Sequence, residues 1–484
     1  MSSSLTAPQT RPWAALWAII IGYFMILVDA TIVTVAIPTI SSELHTDTDT
    51  VIWVTSAYLL AYAVPLLVAG RLGDRFGPKS LYQLGLALFT LASLGCGLST
   101  SIGMLIIARA VQGVGAALMT PQTLTVITRL FPPQQRGPAM SVWGATAGAA
   151  TLVGPILGGL LVGAWGWEWI FYVNIPVGVV GFILAQRLLP KFATMKQRFD
   201  TVGVVLSGVG LLLLVFGIQE GNTYNWGTIR GPITVWSLIV VGTAFLVAFV
   251  LWEARQGDNA LMPLRLFRNR SFALANTAIT TIGFAITIFA LPIILWAQDV
   301  QGFTTIQSAL LLLPMAIVTV ALSPVFGQKL GQWSPPLVAS FGVLCFIGGL
   351  TWMAWAIGHN APWPMTIAPS ALIGVANASM WGALSVTATR DLDPRQAGAG
   401  SGVFNATRQF GSVLGSAAIA AMIDARITAN FPPHATDANQ TAGPLPTFLH
   451  GPFAEAMGQS LLLPAGVVVL ALLACLALPR GSSR

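Results

Sequence analysis

The chain alternates between long apolar runs and short polar segments. Runs of about 17–25 apolar residues suffice to cross a bilayer as helices, and fourteen are present: 13–36, 51–70, 81–98, 102–119, 140–163, 170–188, 202–217, 233–252, 272–296, 308–326, 337–357, 365–384, 400–422 and 461–478. The pattern predicts an all-α integral membrane protein with fourteen transmembrane helices. The first run follows a polar leader, 1–12. It is too long for the apolar segment of a signal peptide and no small-residue cleavage site follows, so it reads as a retained spanning helix.

Composition agrees. Of 484 residues 55% are hydrophobic and 8% charged, whereas a soluble domain carries roughly a quarter charged residues; a soluble enzyme is excluded. The formal charge of +7 could suggest nucleic acid, but Lys and Arg fall in short clusters between apolar runs and form no basic arm. With a cytoplasmic N-terminus, nineteen of the twenty-three Lys and Arg lie on the inside: Arg11, Arg71, Arg75, Lys79, Arg129, Arg136, Arg187, Lys191, Lys196, Arg198, Arg255, Arg265, Arg268, Arg270, Lys329, Arg390, Arg395, Arg480 and Arg484. Arg230 and Arg426 fall outside, and Arg109 and Arg408 within helices. Adding or losing one helix in the middle would scramble this asymmetry, so it supports fourteen spans with both termini in the cytoplasm. Cys96, Cys345 and Cys475 sit in apolar runs, and His45, His359, His434 and His450 are scattered. Neither a disulfide framework nor a metal site is implied.

A repeat divides the chain. The fifth run enters with Arg136, Ala139, Ser141 and Trp143 and continues to Gly154; the thirteenth enters with Arg395, Ala399, Ser401 and Phe404 and continues to Gly415. Such a parallel repeat is expected of many secondary transporters. It gives a leader 1–12, an N-terminal six-helix half 13–189, a linker with two inserted helices 190–271, a C-terminal six-helix half 272–478 and a tail 479–484. The long outside loop 424–459 is rich in Pro, Thr and Asn and reads as a packed cap or as disorder.

Several segments carry chemistry. Between the second and third runs stand Gly70, Arg71, Gly73, Asp74, Arg75, Gly77 and Lys79: glycines for a tight turn, and an acid among cations whose bonds can form in one conformation and break in another. This spacing resembles the loop signature of the major facilitator superfamily. The run 27–38 resembles the first-helix motif of its fourteen-helix drug:proton antiporters, with Thr34 in place of the usual asparagine. Arg109, Gln112, Gly113 and Gly115 match the family's proton-transfer motif. Gly148 with Gly154, Pro155, Gly158 and Gly159 matches its antiporter motif. The segments 165–171 and 174–176 resemble its junction between helices five and six, with Glu168 where arginine is common. The resemblance is dense over 27–176 and thinner afterwards, where Arg408, Gln409 and Gly411 match best. It implies two six-helix halves working by alternating access, amphipathic, lipophilic and often cationic substrates, and residence in the cytoplasmic membrane. A periplasmic adaptor, which some relatives use, is not legible in the chain.

The residues supply their own reasons. Asp29 is the only acid deep within any run, and an intramembrane carboxylate is costly to place; it is either a proton carrier tuned by a neighbour such as Arg109 or half of a structural ion pair. The Gly-Pro-x-x-Gly-Gly stretch permits close helix approach and a bend. Tyr58, Trp143, Asn276, Trp296, Asn377, Trp381, Phe404, Asn405 and Arg408 either line a cavity for flat lipophilic compounds or pack in the core. No nucleotide phosphate loop appears, so energy would come from the proton gradient, with no cofactor. The expectation is a proton-coupled exporter of lipophilic compounds. The alternatives are a dedicated exporter of one endogenous lipid or natural product, a non-transporting scaffold, or an integral lipid enzyme.

Overall fold

The computed structural model describes residues 11–479 apart from 47, 193, 195–199, 222, 257–259, 261, 263, 331, 391, 393–396 and 433–444. The leader to residue 10, Lys196, Arg198, Arg395, His434, Arg480 and Arg484 therefore lie outside the described residues. Among the described residues nineteen α-helices run in order: α1 Pro12–Glu43, α2 Thr48–Ala63, α3 Leu66–Phe76, α4 Pro78–Gly97, α5 Ile102–Leu130, α6 Pro133–Trp165, α7 Trp169–Tyr172, α8 Asn174–Leu188, α9 Thr201–Gln219, α10 Val235–Gln256, α11 Arg270–Ile288, α12 Ala290–Asp299, α13 Thr305–Leu310, α14 Leu313–Lys329, α15 Pro335–Gly358, α16 Ile367–Thr389, α17 Ala397–Asn430, α18 His450–Ser460 and α19 Leu462–Leu476. A small antiparallel hairpin, Thr228–Arg230 with Ile233–Thr234, joins α9 to α10. Among the described residues thirteen segments are long and apolar enough to cross a membrane, and the pair α2–α3, bent by 47°, makes a fourteenth. The bend falls at Pro65, which cannot donate to the helix ladder.

Three sequence expectations are corrected. The segment 70–79 is not a loop: Gly70 to Phe76 belong to α3 and Pro78 opens α4. Only Gly77 turns, at φ 90°, a conformation without penalty for glycine. The fourth run does not end at Met119 but continues to Leu130. Hydropathy falls there because of threonines, yet Thr120, Thr125 and Thr128 donate to Ala116 O, Pro121 O and Thr125 O, each at 2.9 Å, and stay buried within the helix. The outside loop 424–459 is largely helical at its ends: α17 runs to Asn430, and helix resumes at Thr447. Polar contacts hold these extensions together, Asn430 Nδ2 donating to Gln459 Oε1 at 3.2 Å.

Packing separates the helices into two groups. α1, α2, α4, α5, α6 and α8 pack among themselves, as do α11, α14, α15, α16, α17 and α19. The groups meet along two seams, α6 against α14 and α16, and α17 against α3 and α5. The two helices that carry the repeat are thus the ones that cross. α10 packs on α9, and α9 reaches α2 and α17 through Leu60, Leu214, Val215, Ile218 and Val413.

Candidate functional site

Asp29 lies fully buried in α1, and four helices supply what surrounds it. Arg109 Nη1 of α5 reaches Asp29 Oδ2 at 2.5 Å. Gln112 Nε2, one turn further along α5, donates to Oδ1 at 2.9 Å, and Asn174 Nδ2 at the start of α8 donates to the same oxygen at 2.8 Å. Ser93 of α4 accepts from Asn174 at 3.1 Å and anchors on Phe171 O at 2.9 Å. The three bonds from Arg109, Gln112 and Asn174 all use Asp29 as acceptor. Arg109 is held in turn: Nε donates to Val54 O at 3.0 Å, Nη1 to Gln112 Oε1 at 2.7 Å, and the guanidinium lies 4.1 Å from the centre of the Tyr58 ring. Both charges are thus balanced by partners out of water. Among the described residues no group of three or more His, Cys, Asp or Glu is gathered closely enough for a metal.

Gly154 and Gly158 touch α1 immediately beyond Asp29. A side chain at Gly154 would collide with Thr31, and one at Gly158 would lie 2.9 Å from Ile32 O. Gly159 faces Ile306 of α13, and Pro155 sits inside α6. The small-residue face of α6 therefore fixes how closely it approaches the helix that carries the acid.

At the end of α3, Asp74 joins the two groups of helices. Its Oδ1 accepts from Arg129 Nη2 of α5 at 2.6 Å, while Oδ2 accepts from the backbone N of Ala399 at 3.0 Å, in the first turn of α17, where a helix favours negative charge. Beside it Gly70 meets Gly402 of α17, and Gly73 faces Gln122 of α5. Arg71 bonds Ala260 O, Arg75 lies over Phe76, and Lys79 Nζ donates to Gln186 O at 2.7 Å and Leu189 O at 2.8 Å, capping α8.

The expected cavity residues do not form one lining. Tyr58 belongs to the charged site. Trp296 lies apart, its Nε1 donating to Asn360 Oδ1 at 3.2 Å beside Gln301, at the loop end of α12. Asn276 and Thr407 bond at 2.9 Å between α11 and α17, Asn405 donates to Ser401 O, and Phe404 is fully buried. Trp143 stacks on Tyr23 at 5.1 Å, meets Trp381 edge-on at 6.4 Å and donates to Thr123 Oγ1 at 3.0 Å; Trp381 donates to Asn377 Oδ1 at 3.2 Å. An apolar cavity of about 430 Å³ opens elsewhere, between α1, α6, α8 and α14, lined among others by Trp17, Phe24, Thr146, Val177 and Pro324.

Sequence reasoning missed Gln112, Asn174, Ser93 and Arg129 as partners. The first two stand in segments already singled out, and the signal was present: an amide one turn from Arg109, and another opening a helix.

Two helical groups joined along two seams, with a carboxylate and a guanidinium paired inside one of them, have the architecture of a membrane transporter. The chain belongs to the Major Facilitator Superfamily, whose description matches residues 19–416. It is 50% identical over 474 residues to an uncharacterized MFS-type transporter of Mycobacterium tuberculosis, covering 96% of this chain and 81% of that protein. It is 31% identical over 433 residues to the tetracenomycin C resistance and export protein of Streptomyces glaucescens, covering 89% and 79%. In fold it is similar to the proton:xylose symporter XylE, with a TM-score of 0.61 at 12% identity over 94% of each chain.

Proposed function

We propose that the protein is a proton-coupled antiporter of the cytoplasmic membrane, not an enzyme, which exports amphipathic, lipophilic compounds by alternating access of the halves 13–189 and 272–478. The inserted helices of 190–271 attach to the side of the pair, and both termini face the cytoplasm. Asp29 carries the proton. Arg109 is its resident counter-ion, Gln112 and Asn174 hold the carboxylate, and Asp74 latches the cytoplasmic end through α17. Gly154, Pro155, Gly158 and Gly159 form the contact through which a change at α1 reaches α6. The observation that carries this reading is the burial of Asp29 among three polar donors: so costly a placement is accounted for by a charge that the transport cycle uses. Export as the direction is supported by the likeness to the Streptomyces tetracenomycin C resistance and export protein.

The test is uptake of lipophilic dyes into proteoliposomes under an imposed pH gradient, using cationic, neutral and anionic compounds. Gradient-driven accumulation of at least one dye, lost in Asp29→Asn, is expected. Accumulation that ignores the gradient, or survives Asp29→Asn unchanged, would end the proton role.

A further inference from the structure

Arg408 is, with Arg109, one of two cations deep inside an apolar run, and its surroundings differ from those of Arg109. It lies about three turns into α17. Its Nε and Nη2 are both buried, and among the described residues neither has a hydrogen-bond acceptor. Neither the Asp29–Arg109 nor the Asp74–Arg129 ion pair involves it. Asp29 offers nothing, since its oxygens are already engaged by Arg109, Gln112 and Asn174. Local carbonyls do not help either: Ser412 Oγ donates to both Gly283 O and Arg408 O at 3.2 Å. The base of the side chain is fixed, because Gly283 lets the α11 backbone press against α17, with the position of a Gly283 Cβ only 3.2 Å from Arg408 Cγ.

Nε and Nη2 form the side-on edge of a guanidinium, two parallel donors matched to two oxygens of one anionic group. A charged donor pair left empty in a membrane interior is expensive, and an anion on that edge removes the cost. Tyr23 and Trp143, each 1% exposed, stack with ring planes 11° apart, and Trp143 leads on to Trp381.

We propose that Arg408 anchors the anionic group of an amphipathic aromatic substrate, a planar carboxylate, phenolate or sulfonate, when movement of the two helical groups uncovers its side-on edge and the buried Tyr23–Trp143 pair. This rests on the transport reading above and turns the substrate class from the cations implied by resemblance to organic acids.

The test is equilibrium binding of two dyes that share one aromatic scaffold, anionic 8-anilino-1-naphthalenesulfonate and neutral N-phenyl-1-naphthylamine, to the full-length protein in phosphatidylcholine nanodiscs, with empty nanodiscs subtracted. Saturable binding of the anion about tenfold tighter than of the neutral dye is expected in the wild type, on the scale of hydrogen bonds to a charged group. Arg408→Gln should remove that preference and leave the neutral dye within about twofold, and Arg408→Lys should retain part of it. Equal affinity for the two dyes in the wild type overturns the proposal, and that arm needs no variant to fold. Equal weakening of both dyes by Arg408→Gln also overturns it, as does loss of anion binding when phosphatidylglycerol is included, which would assign the edge to a lipid phosphate. Binding needs no gradient: a wild type that selects the anion but ignores protons would sink the antiport reading and leave this one standing.

Discussion

At the scale of single residues, the paired charges set the energetics. Removing one partner of a buried ion pair leaves the other uncompensated and typically costs about 3–5 kcal/mol. Arg109→Leu should therefore lower the thermal unfolding temperature of the purified protein markedly, while Asp29→Asn combined with Arg109→Leu should recover part of the loss. Strictly additive losses would show that the 2.5 Å contact contributes nothing to stability. Asn174→Ala is milder. It withdraws one of two amide donors from Asp29 Oδ1 and should cost about 1–3 kcal/mol, read as weaker proton-driven transport at unchanged expression; wild-type transport would remove Asn174 from the site. Charges inside apolar runs are conspicuous, and so Asp29, Arg109 and Arg408 were legible in the chain. Gln112 and Asn174 were not, because an amide in a run is as readily a packing residue, and only the convergence of α1, α5 and α8 distinguishes the two cases. Tyr58 was legible as aromatic and polar but not as the ring beneath Arg109, since that placement depends on how α2 meets α5.

Elements show a different balance. Fourteen spans could be read because apolar length is a local property, and charge asymmetry fixed their count. The ends of the spans could not, for helix continues wherever side chains satisfy themselves: threonines extend α5, and Gln459 ties down the end of α17. The segment 70–79 is helix for the same reason, its glycines serving contact with α17 and α5 rather than a long turn. Its latch can be tested at this scale. Asp74→Asn discharges the group that receives both Arg129 and the first turn of α17, so the two helical groups should separate at that end. A cysteine at Ser141, which is 2% exposed and packs on Gly327 and Gly382, should then react faster with a maleimide. An unchanged rate would mean that Asp74 does not hold the groups together. Gly158→Leu places a branched side chain against Ile32 O and should uncouple proton flux from substrate flux or abolish both; tight coupling in that variant would reduce the α1–α6 contact to ordinary packing.

Across the whole molecule, charge bookkeeping links the two cations and the acid to the driving force. Asp29 is balanced by Arg109, whereas Arg408 has no carboxylate partner among the described residues, so the described helix interior carries one uncompensated positive charge. Under the proposed antiport, with one carboxylate to load, each cycle would bring in one proton. Exchange of that proton for a monovalent cation moves no net charge, exchange for a neutral compound moves one, and exchange for a monovalent anion moves two positive charges inward. A membrane potential contributes about 2.3 kcal/mol per charge at 100 mV, so an interior-negative potential should drive anion export twice as strongly as neutral export and leave cation export untouched. Proteoliposomes with the pH gradient collapsed and the potential set by a potassium gradient and valinomycin separate these cases. An anionic dye should move steeply with potential, and the response should disappear in Asp29→Asn, where no proton is carried. Anion transport that is flat with potential would show that something other than a single inward proton balances the substrate, and with it the one-carboxylate cycle would fall.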